Sequence, residues 1–303
     1  MGEDAPRART GSAAQRHVEP GRAPVTSAAS RLRRIRDATI PVKTLRIYLA
    51  LFAQMLKVRL AYRGDFLADL FATSLGGISS IVSAWLILHR VGALAGWAQP
   101  EIFLIVGLAS MSYGLFATVS WNLFEFGDRY IIDGRFDRVL LRPLSTWAQV
   151  IFDVFRIPVL VETAIGLGVV VYAVNRLHFD FTPVDWLFVG TTAVCGATIY
   201  VFVFSILASV SFHFEDRIGV APPVFNLIPS GRWPQQIFPA PIRFLLRWVI
   251  PFGFVAFYPA TFLLQREGWR SLAAMSPLVA IGFGLLSAFC WKLGVRRYES
   301  TGS

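Results

Sequence analysis

Long apolar runs alternate with short charged stretches along most of this chain. Ile102–Phe124 and Trp186–Phe212 contain no formal charge, and Ile157–Val174 contains only Glu162. Each is long enough to cross, or nearly cross, a hydrocarbon layer of roughly 30 Å. Phe66–Leu88, with Asp69 near its start, and Leu272–Trp291, followed by Lys292, Arg296 and Arg297, read the same way. The Gly- and Pro-marked turn Val91–Pro100 makes the first two spans a helical hairpin. The third span is expected to begin near Gln149, with Asp153 and Arg156 spaced i, i+3 and able to pair near the membrane surface. His213, Glu215, Asp216 and Arg217 end the fourth span in water.

Ahead of the spans the pattern changes. From Lys43 to Arg63 a helical period puts Lys43, Arg46, Gln54 and Lys57 on one arc, with Leu45, Tyr48, Leu49, Phe52, Met55, Leu56 and Leu60 opposite. This predicts a helix lying in the bilayer interface. Residues 1–41 are rich in Arg, Ala, Ser and Pro without a sustained apolar run, and are expected to be a disordered tail. No apolar core follows the early arginines, so a cleaved signal peptide is not expected.

Between the second and third spans, Glu125–Pro143 packs acids and arginines too densely for lipid and must project into water. Asp133-Gly134 is a turn signal and Pro143 a stop, which predicts a short helix over residues 135–141. Phe136, Val139 and Leu140 then share a face, while Asp137, Arg138 and Arg142 stay outside that stripe. Two readings remain: an amphipathic plug that seats in a groove of another protein, or a solvated loop whose charges only orient the chain.

The stretch after Arg217 is ambiguous. Ile218–Ser230 is short and holds Pro222 and Pro223, whereas Phe244–Leu264 holds Arg247, Pro251 and Pro259. Basic residues favour a cytoplasmic amino terminus, 125–143 loop and carboxyl terminus, hence an even number of crossings. Either Asp216–Ser230 crosses and Phe244–Leu264 dips in and returns to the outside, or the first stays inside and the second crosses. Charge bias prefers the second arrangement. The prolines prefer the first, because irregular backbone at membrane depth needs protein or a cavity around it.

Composition agrees with a membrane protein. Of 303 residues, 55% are hydrophobic and only 16% charged, too little polar surface for a soluble domain of this size. The net charge of +10 comes mostly from arginine, with Lys43, Lys57 and Lys292 the only lysines. These residues sit in the tail and beside apolar spans, where they serve topology and anionic lipids, and not nucleic acid. Cys195 and Cys290 fall inside apolar runs, which argues against a disulfide framework. No P-loop, H-E-x-x-H, C-x-x-C or G-x-S-x-G motif occurs, and the four histidines (His17, His89, His178 and His213) lack metal-ligand spacing. No catalytic residue, metal or cofactor is therefore assigned to this chain. Glu162 is an acid deep in a span, and so a functional candidate. The alternative is that it bonds Thr163, Tyr172 or a neighbouring span and holds the bundle together. Small residues such as Gly76, Gly77, Ser79, Ser80, Gly166, Gly168, Gly282 and Gly284 fit close helix packing.

Particular segments carry a resemblance. They are Ala61 to Phe66 before the first span, Gly134 to Leu144 in the loop, Gly231-Arg232-Trp233-Pro234, Phe238-Pro239, Pro251-Phe252, Tyr258-Pro259 and Arg296-Arg297-Tyr298. Over Lys43–Ser303 the chain resembles the permease subunit of ABC-2 type ABC transporters, in the branch whose substrates are unassigned. The resemblance implies an all-α polytopic membrane fold with six transmembrane helices, an N-terminal interfacial helix, and re-entrant outer helices over residues 231–265. It implies a multi-pass protein of the plasma membrane with both termini cytoplasmic. The loop becomes a coupling helix that docks on an ABC ATPase, through Gly134, Phe136, Asp137, Arg138, Val139, Leu140, Arg142 and Pro143. ATP and Mg would be bound on that partner chain, and a second permease chain, identical or a sister, would complete the pathway among membrane lipids. Pro239, Pro251 and Pro259 become candidates for an outer gate, which suits export of a hydrophobic or amphipathic compound. On this resemblance Asp216–Ser230 is the fifth crossing, although its acid, arginine and paired prolines make a poor one. Competing readings are a membrane-embedded enzyme acting on lipid or isoprenoid through Glu162, Asp153 and Arg156, and a non-catalytic scaffold.

Overall fold

The computed structural model describes residues 63–214, 219–266 and 270–298. The tail 1–41 and the expected interfacial helix as far as residue 62 lie outside the described residues. The apolar runs fold as five long helices: α1 (Arg63–Val91), α2 (Gln99–Phe124), α3 (Leu160–Leu177), α4 (Pro183–Phe214) and α5 (Ser276–Arg297). Among the described residues these five are long and apolar enough to cross a membrane, or six spans exist if the bent pair Ala240–Val249 and Phe252–Leu263 counts as one. The chain is thus an all-α, multi-pass membrane protein.

Burial ranks the helices. The most apolar window around α2 is 83% buried, against 11% for α1 and 22% for α5, so α2 is the central post. Phe71 and Leu75 of α1, and Leu285 and Phe289 of α5, are exposed. Lipid takes the place of a protein core around such faces, so close packing rather than water exclusion holds the helices together. Small residues provide that packing. A methyl group on Gly166 of α3 would stand 2.7 Å from the Gly107 carbonyl oxygen and the Met111 nitrogen of α2. Gly76, Gly168 and Gly282 instead face open space, so only part of the small-residue pattern is packing.

The α1–α2 turn closes with a two-residue antiparallel ladder, Ala93 opposite Ala98 and Leu94 opposite Trp97. Glu101 caps α2 by accepting from the Ala98 nitrogen at 2.7 Å. At the other end, α2 runs on into a π-helical turn, Gly127–Ile132, then a five-residue helix, Phe136–Leu140. The third span does not begin near Gln149: Thr146–Ile151 is a separate short helix, and a 3-10 turn at Ile157–Val159 leads into α3. Pro158 allows only a fresh start, since it cannot donate a helical hydrogen bond.

The described chain between α4 and α5 is irregular. Residues 219–238 contain only the short helix Ala221–Phe225 and 3-10 turns at Ile228–Arg232 and Gln235–Ile237. No continuous helix forms over residues 219–238, where Pro229 and Pro234 stand in the path of any helix continuing from Ala221–Phe225. The segment nonetheless travels the length of α2. The Phe225 ring lies 4.7 Å from Phe124 and 5.6 Å from Trp121, whereas Ile237 and Phe238 share a cavity of about 390 Å³ with Ile87 and Leu94. The chain then forms the bent pair, whose helices meet at 73°. Pro251 stands at the break, but Pro259 lies in the first turn of Phe257–Leu263 and breaks nothing, since a first-turn nitrogen has no helical partner to lose.

Gly166→Ala is expected to lower stability by about 1–3 kcal/mol through forced separation of α2 and α3, while Gly168→Ala leaves it unchanged. Thermal unfolding of the two variants in detergent, followed by size-exclusion chromatography, checks the difference.

Candidate functional site

The 125–143 stretch is a rigid stub and not a solvated loop. Gly134, at φ +65, makes the turn that reverses the chain into Phe136–Leu140. Phe136 is 0% exposed. Its ring packs at 4.9 Å from Phe212 of α4 and 4.9 Å from Tyr298 just after α5. Phe126 and Trp291 complete the socket. The Tyr298 hydroxyl donates to Asp137 Oδ1 at 3.0 Å. Burial and that carboxylate push the hydroxyl up to about 12, so it remains a donor at any working pH. Gln149 Nε2 donates to the carbonyls of Val139 and Leu144, and Trp291 Nε1 donates to Thr146 at 3.0 Å.

This geometry corrects the expected docking face. Phe136 and Val139 turn inward onto their own chain, because the aromatic ends of α4 and α5 offer them a dry socket. Ile132, Leu140 and Leu141 are the exposed apolar residues, with Leu141 84% exposed. Arg135, Arg138, Arg142 and Pro143 are exposed beside them. Other loop charges turn back towards the bundle. Arg129 donates to Asn122 at 3.2 Å and pairs with Glu125 at 3.5 Å, and these three help line a cavity of about 460 Å³ with Trp121, Val154 and Arg156.

Glu162 is 7% exposed on α3, facing Gly77 of α1, where a methyl group would stand 2.9 Å from its carboxylate. Neither sequence-based partner holds it: Thr163 donates to the Met111 carbonyl at 3.3 Å, and Tyr172 packs edge-on against Phe103. Among the described residues its carboxylate makes no hydrogen bond or ion pair, though Arg232 lies within electrostatic reach. The expected Asp153–Arg156 pair does not form. Asp153 accepts from the Tyr130 hydroxyl at 2.8 Å, while Arg156 reaches Asp69 of α1 at 3.2 Å and covers the Trp121 ring. The break before α3 points the two side chains apart, so the polar site proposed for an enzyme is not assembled as a contacting group. Among the described residues, no cluster of His, Cys, Asp or Glu is placed to hold a metal ion.

The opposite end carries contacts that no motif announced. Arg266, just after the bent pair, donates to both Glu101 oxygens at 2.6 and 2.7 Å, and its guanidinium covers the Trp97 ring. Arg247 donates to the Tyr258 hydroxyl at 2.6 Å, which ties the two arms of the pair together. Arg243 donates to the Phe238 carbonyl at 3.0 Å. These arginines satisfy groups of their own chain. Pro239 precedes the first arm, at the N-cap of Ala240–Phe244. The one sequence signal for these contacts was an arginine within or beside an apolar run, where a cation needs a partner.

A family model described as ABC-2 family transporter protein matches residues 77–302. No curated protein matches the chain, and no solved structure does.

Phe136→Ala is expected to destabilise the protein by about 3–5 kcal/mol by emptying the aromatic socket, whereas Leu141→Asp stays within about 0.5 kcal/mol of the parent. Detergent thermal unfolding of both variants separates the inward residue from the outward one.

Proposed function

We propose that this chain, which belongs to the ABC-2 family of transporter proteins, is the permease subunit of an ATP-driven exporter. ATP and Mg bind on separate ATPase subunits, since this sequence has no P-loop. A second permease chain, identical or a sister, completes the pathway within the plasma membrane, with both termini cytoplasmic.

One observation carries the reading: the stub is locked to α4 and α5 by a buried aromatic cluster while it presents Ile132, Leu140 and Leu141, flanked by arginines, to solvent. An exposed apolar patch with a cationic rim fits an acidic-edged groove on another protein. Packed rings resist compression, so a push on Leu140 and Leu141 would move the ends of α4 and α5 with them. The coupling surface is accordingly Arg138, Leu140, Leu141, Arg142 and Pro143, with Gly134, Phe136, Asp137 and Val139 as its support.

The bent pair closes the far end of the pathway as a re-entrant segment. Its two ends both meet the α1–α2 turn, through Phe238 at Leu94 and Arg266 at Glu101. Its corner reaches inward, where the Phe252 ring packs 4.9 Å from Tyr200 in α4. A plug on that side suits export of a hydrophobic or amphipathic compound. No contact between Glu162, Asp153 and Arg156 favours the enzyme reading.

Affinity purification in mild detergent is expected to recover a P-loop ATPase with the parent chain, and Leu141→Asp combined with Arg138→Glu to lose it while the permease stays folded. Retention of the ATPase by this double variant would remove the stub from the coupling role. In a background with Cys195 and Cys290 replaced, cysteines at Ile237 and Gln265 are expected to react with an impermeant thiol reagent outside intact cells, and one at Asp133 not to. Reaction at only one of the first two would make the bent pair a crossing.

A further inference from the structure

The corner of the bent pair gathers polar atoms for which the fold provides no partner. Gln235 and Tyr200 are each 0% exposed. Among the described residues, both side-chain polar atoms of Gln235, the Tyr200 hydroxyl and Arg232 Nε are buried without a hydrogen bond. Gln235 borders Gly253 and Tyr200 borders Phe252, while Arg232 follows Gly231, which borders the Phe252 carbonyl. A methyl group on Gly253 would stand 3.5 Å from Gln235 Cδ, and one on Gly231 would stand 3.1 Å from the Phe252 carbonyl, beside Arg232. The Phe252 ring meets Tyr200 edge-on. Tyr200 in turn lies within electrostatic reach of Arg232.

Arg232 is held in place but not saturated. Its Nη1 donates to Ser80 of α1 at 2.6 Å, and its guanidinium lies over the Tyr113 ring at 5.7 Å. Neither contact fills Nε, and among the described residues no carboxylate lies within ion-pair distance. A buried amide, phenol and guanidinium edge are each costly if left without a partner. Donors outnumber acceptors in this set, the Gln235 amide NH2, the Tyr200 hydroxyl and the Arg232 Nε–H against the Gln235 and Tyr200 oxygens. A cation whose planar edge is free, beside an amide, matches a carboxylate.

We propose that Arg232, Gln235 and Tyr200 form a binding site, at the middle of the bundle, for the carboxylate head of an amphiphile. The site gives the permease reading a substrate class and rests on it: an amphiphile with an anionic head and an apolar chain, bound where the re-entrant corner meets α4.

Hydroxyl-radical footprinting of the full chain in lipid nanodiscs, without nucleotide, tests this, with laurate and dodecanol as probes. Tyr200 is expected to be modified well above Phe116, its dry neighbour in the core, and Phe289, which faces lipid. Laurate should protect it and dodecanol should not. Arg232→Gln should raise the half-protecting laurate concentration by about tenfold to a hundredfold, the loss of a hydrogen bond to a charged group. Gln235→Leu, which leaves the Ser80 contact intact, should weaken protection in the same direction and keeps the test valid if Arg232→Gln fails to fold. Tyr200 as unreactive as Phe116, equal protection by the two probes, or modification that laurate leaves unchanged would each overturn the proposal, the last meaning that water alone fills the site. Because no ATPase takes part, protection by laurate would stand even if no P-loop partner were recovered, and its failure would leave the permease reading untouched.

Discussion

Backbone that leaves the helix needs other hydrogen-bond partners wherever water is scarce, and this constraint bears on the chain from Gly219 to Arg266. The segment is broken by prolines into short helices and turns, so protein must surround it. The central helix α2 supplies much of that cover, with Phe124 and Trp121 against Phe225 and Tyr113 under Arg232, and Trp97 in the turn before it packs against Phe257. The α4 helix supplies more, through Tyr200 and Phe204. This explains why α2 is buried nearly all round while α1 and α5 are left to lipid.

Charge follows the same logic. Arginines in or near the apolar region are each given a partner: Arg156 takes Asp69, Arg247 takes Tyr258 and Arg266 takes Glu101. Arg232 takes the Ser80 hydroxyl and the Tyr113 ring and, like Arg243, keeps a buried Nε without a hydrogen bond. At the other end the aromatic socket around Phe136 packs the stub onto two helices that are distant from it in sequence.

Much of the architecture was legible along the chain. Apolar runs over Phe66–Leu88, Ile102–Phe124 and Trp186–Phe212 became α1, α2 and α4, and Asp133-Gly134 with Pro143 bounded the short helix at Phe136–Leu140. These signals are local, because hydrophobicity and turn chemistry act over a few residues. The side of that short helix which faces outward was not legible. Phe136, Val139 and Leu140 share a stripe in sequence, yet only Leu140 is exposed, because the socket that takes Phe136 is built from Phe212, Trp291 and Tyr298.

The amino-acid sequence by itself determined that this is a helical membrane protein, where its clean spans lie, and that a charged stub interrupts them. Each follows from transfer of side chains between water and hydrocarbon, which depends on composition in a short window. Only the tertiary structure decided the partners of the buried charges, the course of residues 219–266 and the grouping of Tyr200, Arg232 and Gln235. Those depend on which helices lie side by side, and residues such as Ser80 and Arg232, or Glu101 and Arg266, meet only after the whole bundle has packed.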